Sequence, residues 1–574
     1  HWALVVTPQF LLPAIALLVV LFLLAGAWQR KGRGIPETVN YSTIPEGVGA
    51  FLAAQFAIQI GMMIPLSAAY FSRWPFAGAY ANLIAIPLIG IVVQLGAIGG
   101  LLGLIPGAGL FLALLLGAAN WVFSSIFLWL AHESADLFPY PFVRRPGLWT
   151  LAAYYIGCAW FIWHKPIWAW LTGALKRHKF ESPWVPRGLA AAAILALAAI
   201  VAIDMRPARP DGLRMTVLSV GYGSAVLIES PGGRRILVDA GFVEHERGRR
   251  SEAIRTVLPY LAHQKIRKLD AVVLTSPRPE RAAGVSHVLS HAWVDYLFVP
   301  PTLADLRPAE SFDEFAARFE RATDRVEPSA LTQAYEEIIG NAAWPRRGAL
   351  APELARRKPT FLNRWAGWTV RPQPLVAGQS LFEEQGPGGT FRIEVLNPVA
   401  NTPAARDFDN GSLVLRVVYG GFSALLTGDL QYDGVSALAR RYEATALRSQ
   451  IMFLPHRGAA IGEAYGDFKP VLRGALGNEL GALLDKVRPD RVVAEWGSPR
   501  PVVGALSRDA TLAHELARQY VMDRLGEFAW LSTDRDLAIT IISDGSTYQI
   551  TTPSEANRAA GGEEDAVSDI AVGL

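Results

Sequence analysis

Few side chains before residue 204 could do chemistry, and most of them are amides inside long uncharged stretches. Buried amides either hydrogen-bond between packed helices or line a polar path. Glycine and proline recur in the same stretches, and an interrupted apolar helix needs its backbone buried in protein or facing a cavity. Helix packing and a permeation path therefore both stay open as interpretations. The residues predicted to line such a path are Gln55, Asn82 and Pro87.

The composition excludes several other chemistries. The single cysteine, Cys158, cannot form an intrachain disulfide, and one thiol cannot hold a zinc or iron–sulfur cluster. No phosphate-binding Gly-rich loop with a Lys is visible, so the sequence offers no built-in ATPase. The net charge of +3 is too small to indicate nucleic-acid binding by itself. Any transport would therefore need a partner motor or a gradient.

The chain as a whole is too apolar for a wholly soluble protein. It has 574 residues, 51% of them hydrophobic and only 18% charged. Soluble proteins carry about 25% charged residues. The length predicts two or more domains. Because the apolar excess falls almost entirely before residue 204, the two halves of the chain differ in class.

Six apolar segments predict a multi-pass α-helical membrane domain over residues 1–204. A helix needs roughly 20 apolar residues to cross a bilayer. The run 74–131 is long enough for two passes, with a break at 106–109. The other segments are 3–28, 47–72, 148–171 and 188–203.

The charges in the short loops predict the orientation of these helices. Lys and Arg residues are enriched in cytoplasmic loops. One set of loops carries seven of them and the other set three: Arg30, Lys31, Arg33, Lys176, Arg177, Lys179 and Arg187 against Arg73, Arg144 and Arg145. The richer loops are expected in the cytoplasm, which places the region after residue 204 on the extracytoplasmic side.

Residues 205–552 have the pattern of an α/β domain. Strands with turn residues between them form predicted hairpins at 215–238, 412–427 and 537–550, and short buried strands are predicted at 271–275, 451–454 and 491–494. Strand pairs that alternate with helices in two similar halves predict two sheets with helices outside. Residues 300–395 are interpreted as a helical, charged insertion. The Gly-, Ala- and Glu-rich tail at 553–574 is predicted to be disordered.

The order of several motifs resembles the ComEC-type competence proteins. Residues 79–88 resemble that family's internal membrane motif. The segments 218–225, 237–241, 257–261, 269–275, 410–416, 425–429 and 455–458 resemble, in order, motifs of its metallo-β-lactamase-like domain. The resemblance implies an αββα sandwich after the membrane domain. It also implies passage of single-stranded DNA across the bacterial inner membrane during natural transformation, together with a DNA receptor and a cytoplasmic motor as partners.

The same resemblance implies a two-metal hydrolase site, but its main ligand loop is altered in this chain. The family pattern there is His-x-Asp-x-Asp-His, and this chain has Ser276, Arg278, Glu280 and Arg281 at those four positions. A guanidinium has no lone pair to donate and is always charged. It would repel a metal ion rather than bind one.

Two further ligand motifs are altered in the same direction. A family His-His-Gly becomes His456-Arg457-Gly458, and a family Gly-His-Pro becomes Gly497-Ser498-Pro499. Only Asp239, Asp429 and His456 remain of the metal-ligand positions. The sequence therefore predicts a degenerate hydrolase domain with no catalytic residue, no metal and no other cofactor. We expect no enzyme activity from it.

Arginines at these loops lead to the binding hypothesis. Arg278, Arg281, Arg457 and Arg500 are predicted to bind DNA phosphate without cutting it. Alternatively they are surface arginines in local salt bridges. At the level of the whole protein, two other interpretations stay open. One is a diverged transporter or membrane scaffold that recruits a partner and has no DNA role. The other is an active metal-dependent nuclease with a non-standard site.

Overall fold

The computed structural model describes residues 57–74, 76–137, 142–177, 184–304 and 372–553, apart from gaps at 222, 242, 245–249, 283, 403–404, 406, 408, 459–471 and 497–505. The chain divides into two compact units. The first comprises residues 1–207 with 262–265, and the second comprises 208–261 with 266–574. The boundary predicted after residue 204 lies close to this division.

Four long helices form most of the described part of the first unit. They are α1 (Phe76–Gly103), α2 (Ala108–Leu137), α3 (Leu148–Arg177) and α4 (Trp184–Asp204). An irregular helical stretch precedes them, with wide π-helical turns at Gln59–Met63 and Ser67–Phe71 around a short segment, Ile64–Leu66. The break predicted at 106–109 separates α1 from α2, as expected from its Pro and Gly residues.

Three described helices are long and apolar enough to cross a membrane. The spans are Ile84–Gly103, Ala108–Ala131 and Trp184–Asp204. They fall in the predicted segments 74–131 and 188–203. Helix α3 covers the predicted segment 148–171, and its backbone departs from helical geometry at Trp163, three residues before Pro166. The first predicted segment, 3–28, lies outside the described residues, so the number of six helices stays a prediction.

Helices α1 and α2 pack closely through glycines of α1. A Cβ atom built at Gly99 would lie 3.5 Å from the Cβ of Leu116, and one at Gly103 would lie 3.6 Å from that of Ala113. Close approach of this kind is typical of membrane helix pairs that pack through small residues. Of the predicted path residues, Asn82 is half-buried on α1 and Pro87 lies inside the same helix, while Gln55 is outside the described residues.

The second unit contains two mixed sheets. Among the described residues the first has eight strands, in the order β17-β16-β1-β2-β3-β6-β7-β8. Its β3, β6, β7 and β8 run parallel to one another, and the other neighbours are antiparallel. Its strands are β1 (Leu213–Val217), β2 (Val226–Glu229), β3 (Arg235–Val238), β6 (Lys268–Val273), β7 (Trp293–Val299), β8 (Pro372–Pro374), β16 (Ile539–Ser543) and β17 (Tyr548–Thr551). A separate two-stranded ladder joins β4 (Val243–Glu244) to β5 (Arg250–Ser251).

The second sheet has seven described strands, in the order β15-β14-β13-β12-β11-β10-β9. Strands β12 to β15 are parallel, and β9 to β12 pair as antiparallel neighbours. The strands are β9 (Ser380–Gly386), β10 (Gly389–Asn397), β11 (Val414–Tyr419), β12 (Phe422–Leu426), β13 (Ile451–Phe453), β14 (Arg491–Ala494) and β15 (Trp530–Ser532). Both sheets therefore combine an antiparallel half with a parallel half.

The main core lies between the two sheets. It joins Met215 and Val238 of the first sheet to Ile393 and Val417 of the second. A second core packs the outer face of the second sheet against helices. The described helices of this unit are α5 (Leu258–His263), which continues a π-helical turn at Ala253–Val257, α6 (Pro279–Ala282), α7 (Val285–His291), α8 (Pro301–Ala304), α9 (Tyr432–Arg441), α10 (Ala444–Leu447), α11 (Leu472–Val487) and α12 (Leu506–Leu525). The predicted αββα sandwich after a membrane domain is confirmed.

The helical insertion predicted at 300–395 is wrong for its last part. Strands β8, β9 and β10 occupy 372–397 and join both sheets. Apolar Phe391, Ile393 and Val395 alternate with polar neighbours, and the apolar side faces the core. This alternation of period two is the signature of a half-buried strand. Residues 305–371 lie outside the described part of the chain, as do 554–574 of the predicted disordered tail.

Candidate functional site at the strand ends

Three buried carboxylates follow strands of the parallel halves of the two sheets. Asp239 comes directly after β3 of the first sheet. Glu495 comes directly after β14 of the second sheet, and Asp429 lies three residues after the end of β12. The carboxyl ends of parallel strands share one edge of a sheet, and this edge is where open α/β sheets place their functional groups. The face-to-face packing of the sheets brings the three acids to one place.

The guanidinium of Arg281 lies among these carboxylates. Its Nη1 donates a hydrogen bond of 2.7 Å to Oδ2 of Asp239. Its Nε forms an ion pair of 2.8 Å with Oδ1 of Asp429, and Nη1 lies 3.8 Å from Oε2 of Glu495. The side chain of Arg281 is only 3% exposed. One buried cation from α6 thus links carboxylates of both sheets.

Thr275 and Ser224 complete the hydrogen bonding of this cluster. Thr275 donates to both oxygens of Asp239, from its backbone N at 2.8 Å and from its Oγ1 at 2.7 Å. The Oγ of Ser224 donates a hydrogen bond of 2.7 Å to Oε1 of Glu495. Asp239 itself has a left-handed backbone, with φ of 58°. Such a conformation costs a non-glycine residue free energy and is held by the surrounding contacts.

Burial and charge shift the acids in opposite directions. Burial alone would raise the pKa of Asp429, but the guanidiniums of Arg281 and Arg457 outweigh it and hold that pKa well below its usual range. Burial raises the pKa of Glu495 to about 7, and the more distant charge of Arg281 opposes this rise only in part. Asp429 is therefore ionised at neutral pH, whereas Glu495 is close to half protonated.

His456 and Arg457 occupy a strained turn beside the cluster. Both have left-handed backbones, with φ of 45° and 59°, and their side chains are buried. Neither ring nitrogen of His456 has a hydrogen-bond partner among the described residues. Burial lowers the pKa of His456 to about 4, against the opposing charge of Asp429. The imidazole is therefore neutral at physiological pH.

A second histidine, His514, packs against this turn and fixes its backbone. The Nδ1 of His514 lies 2.9 Å from the carbonyl oxygen of Arg457. The ring of His514 is stacked on Trp496, with 4.1 Å between the ring centroids. This packing holds the backbone of Arg457 in place and explains how the left-handed conformation persists.

Arg278 lies nearer the surface and pairs with a different acid. Its Nη2 donates a hydrogen bond of 2.6 Å to Oδ2 of Asp409, and its Nε pairs with Oδ1 of the same carboxylate. Gln431 donates to Oδ2 of Asp409 at 2.9 Å. A two-pronged pair of this kind is the strongest arrangement between arginine and a carboxylate.

The structure brings together most of the predicted site residues. Asp239, Asp429, Arg281, His456 and Arg457 meet at the strand ends, with Ser276 buried in the adjoining loop. Arg281 and Arg457 are buried and do not present a guanidinium to solvent, so geometry does not support their contact with DNA phosphate. Arg500 and Ser498 lie outside the described residues.

Two important residues were missed in the sequence. Glu495 directly follows the buried strand β14, and this position at the end of a predicted strand was the available signal. The sequence around Asp409 has no such signal, because this residue lies in a loop and contacts Arg278 only through the tertiary fold. Both acids are partners of arginines rather than isolated ligand candidates.

The residues do not fit the pair of metal ions that the resemblance implies. The positive charge of Arg281 lies within bonding distance of Asp239 and Asp429, the two carboxylates that a metal would need. Within the described ranges, no group of three or more His, Cys, Asp or Glu side chains could hold a metal ion. We therefore derive no metal-dependent step for this site.

A known family model matches part of the membrane half of the chain. Residues 4–168 match the family model described as Competence protein. No curated protein gives a significant match to the chain.

Several solved structures are similar to part of this chain, at low identity. A diphosphatase of the PhnP family has 11% identity and a TM-score of 0.26, over 57% of this chain and 96% of its own. The Rm3 metallo-β-lactamase has 13% identity and a TM-score of 0.25, over 56% and 94%. The long form of RNase Z from yeast has 11% identity and a TM-score of 0.21, over 55% and 44%. At such scores the fold assignment rests on the strand order and layers described above.

The family match and the architecture agree with each other. A region that matches the Competence model precedes a sandwich of two mixed sheets with helices outside. Three described helices are long and apolar enough to cross a bilayer. Residues 4–168 of this chain are therefore similar to the Competence family, and an αββα sandwich follows them, as the resemblance to ComEC-type proteins implies.

Proposed function

We propose that this protein is a component of the bacterial inner membrane through which single-stranded DNA passes during natural transformation. The match of residues 4–168 to the Competence model supports this role. The helices of the first unit supply the apolar surface for a multi-pass protein. No ATPase motif is visible in the sequence, so passage would be driven by a separate motor or a gradient.

In the same proposal the second unit, called the C-terminal domain from here on, is not a nuclease. The observation that carries this part is the position of Arg281 between Asp239 and Asp429. A two-metal hydrolase needs those carboxylates to bind ions that position a water and hold a phosphate. A buried guanidinium uses the same oxygens and adds positive charge where the ions would have to enter.

Contact of this domain with DNA is a separate part of the proposal. Arg278 is the described member of the predicted phosphate-binding set whose side chain keeps some exposure, at 15%, although Asp409 neutralises it. Phosphate contacts at this face would therefore involve Arg278. Contact through Arg500, which lies outside the described residues, stays a prediction. Arg281 and Arg457 would act inside the domain.

We also propose that the C-terminal domain lies outside the cytoplasm. The excess of Lys and Arg in alternate loops supports this orientation. The single cysteine makes the test direct. In a Cys158→Ser background, a cysteine at exposed position Phe528 should react with a membrane-impermeant maleimide in intact spheroplasts. Reaction only after lysis would reverse the proposed orientation.

Deletion of the gene in its natural host tests the role in DNA passage. Transformation with chromosomal DNA should fall to background, and DNA bound at the surface should remain outside the cytoplasm. Complementation with the full chain should restore transformants. Normal transformation after deletion would instead favour a transporter or scaffold that recruits a partner and has no DNA role.

A further inference from the structure

Three carboxyl groups are buried close together at one edge of the C-terminal domain. Asp239 and Asp429 have no exposed surface, and Glu495 is 6% exposed. They come from the ends of strands in two different sheets. Ionised carboxylates buried together without a counter-charge are strongly unfavourable. Such a cluster is stable only if carboxyls take up protons or a positive group lies among them, and Arg281 is the positive group that contacts it.

Arg281 meets this need from within the chain. Its nitrogens contact Asp239 of the first sheet and Asp429 of the second. The backbone of α6 is tied to the same place, because the N–H of Ala240 donates a 3.2 Å hydrogen bond to the carbonyl oxygen of Arg281. The guanidinium therefore lies where it can join the two sheets, and it is held there by its own backbone.

We propose that Arg281 is a built-in cation that holds the two sheets of the C-terminal domain together, so that the domain closes by means of a side-chain charge and needs no bound metal at this edge. The required property is positive charge at this point, not the bulk of the side chain. Glu495 is the third acid of the arrangement, at the longer distance of 3.8 Å. The inference does not depend on DNA as the cargo.

The test is chemical rescue of Arg281→Ala in the full chain, purified in detergent. Loss of the guanidinium should increase amide hydrogen exchange at the ends of β3, β12 and β14 by about tenfold or more, since these ends would open locally. Guanidinium chloride at low millimolar concentration should restore a large part of the protection. Urea at the same concentration has nearly the same shape and no charge, so it should restore none.

Two variants keep the test decisive. Arg416→Ala removes another arginine of the same domain, whose Nη1 lies 3.0 Å from Glu394 at the surface side of the second sheet. Guanidinium should not restore the protection from amide exchange that this variant loses. Arg281→Lys retains the charge and should protect the three strand ends better than Arg281→Ala. The proposal is overturned if Arg281→Ala exchanges like the unaltered protein. Equal restoration by urea, or no advantage of Arg281→Lys over Arg281→Ala, would overturn it as well.

Discussion

The Nε of Arg281 and the Oδ1 of Asp429 lie 2.8 Å apart in the interior of the C-terminal domain, although the two residues are far apart in the chain. Both side chains are almost fully buried. This one ion pair turns a set of acids that could have been metal ligands into an internal salt-bridge cluster. Its consequences for pH, stability and chemistry can be measured.

The contribution of Glu495 to the stability of the domain should fall as pH rises toward neutrality. The pKa of Glu495 is raised from 4.5 to about 7 by burial. A carboxyl whose pKa is higher in the folded state contributes stability below its unfolded pKa and loses it as pH rises through the folded value. His456 acts in the opposite direction over part of this range, because its pKa is lowered from 6.5 to about 4. The contribution of Glu495 is therefore measured by urea unfolding of the full chain in detergent at about pH 5 and about pH 8, in comparison with a variant that lacks this carboxyl.

Glu495→Gln is the matched control for this pH effect. The amide oxygen can still accept the hydrogen bond from Ser224, but the side chain no longer titrates. Raising the pH from about 5 to about 8 should raise the unfolding midpoint of this variant more, or lower it less, than that of the unaltered protein. A pH dependence identical to that of the unaltered protein would assign the effect to other groups.

Thr275→Val should destabilise the domain by removing a hydrogen bond to the buried carboxyl of Asp239, which pairs with Arg281. The Oγ1 of Thr275 donates to Oδ2 of Asp239 at 2.7 Å. Loss of such a bond costs about 1.5–3 kcal/mol, against roughly 1 kcal/mol for a bond to a neutral group. Thr427→Val is the comparison, because its buried Oγ1 donates to the carbonyl oxygen of Phe453 at 2.8 Å. Burial raises the pKa of Asp239 and Arg281 opposes this rise, so equal losses in chemical denaturation would indicate a protonated Asp239.

The purified protein should contain no stoichiometric zinc or manganese and should not degrade DNA. The reason is the occupation of Asp239 and Asp429 by the guanidinium of Arg281. Elemental analysis and a nuclease assay with added metal ions are the measurements. One or more metal ions per chain, together with nuclease activity that Asp429→Ala abolishes, would show an active hydrolase instead.

A leucine at Gly99 should disrupt the helical hairpin of α1 and α2, whereas one at Gly100 should be tolerated. A Cβ at Gly99 already meets Leu116 at 3.5 Å, and a Cβ at Gly100 has no atom within 4 Å. Overpacking of a closely packed interface costs about 1–3 kcal/mol. Thermal aggregation of the two variants in the same detergent should therefore differ. Similar midpoints would mean that the helices are not packed through Gly99 in the membrane protein.

The sequence by itself determined the class of each half and most of the strands. Long uncharged runs require a membrane or a core, and the helices α1, α2 and α4 follow from them. Hairpins such as β11 and β12 were visible because apolar residues flank a Gly-Gly turn. The strands at 372–397 were missed because charged residues such as Arg392 and Glu394 hid a period-two pattern whose inward side is apolar.

Only the tertiary structure decided what the arginines do. The residue type at 281 excludes a metal ligand in any fold, because guanidinium has no lone pair to donate. Whether it faces solvent or carboxylates depends on strands more than a hundred residues apart in the chain, such as β3 and β12. Asp239, Asp429 and Glu495 become partners of one cation because two sheets pack face to face, and local sequence carries no record of that long-range contact.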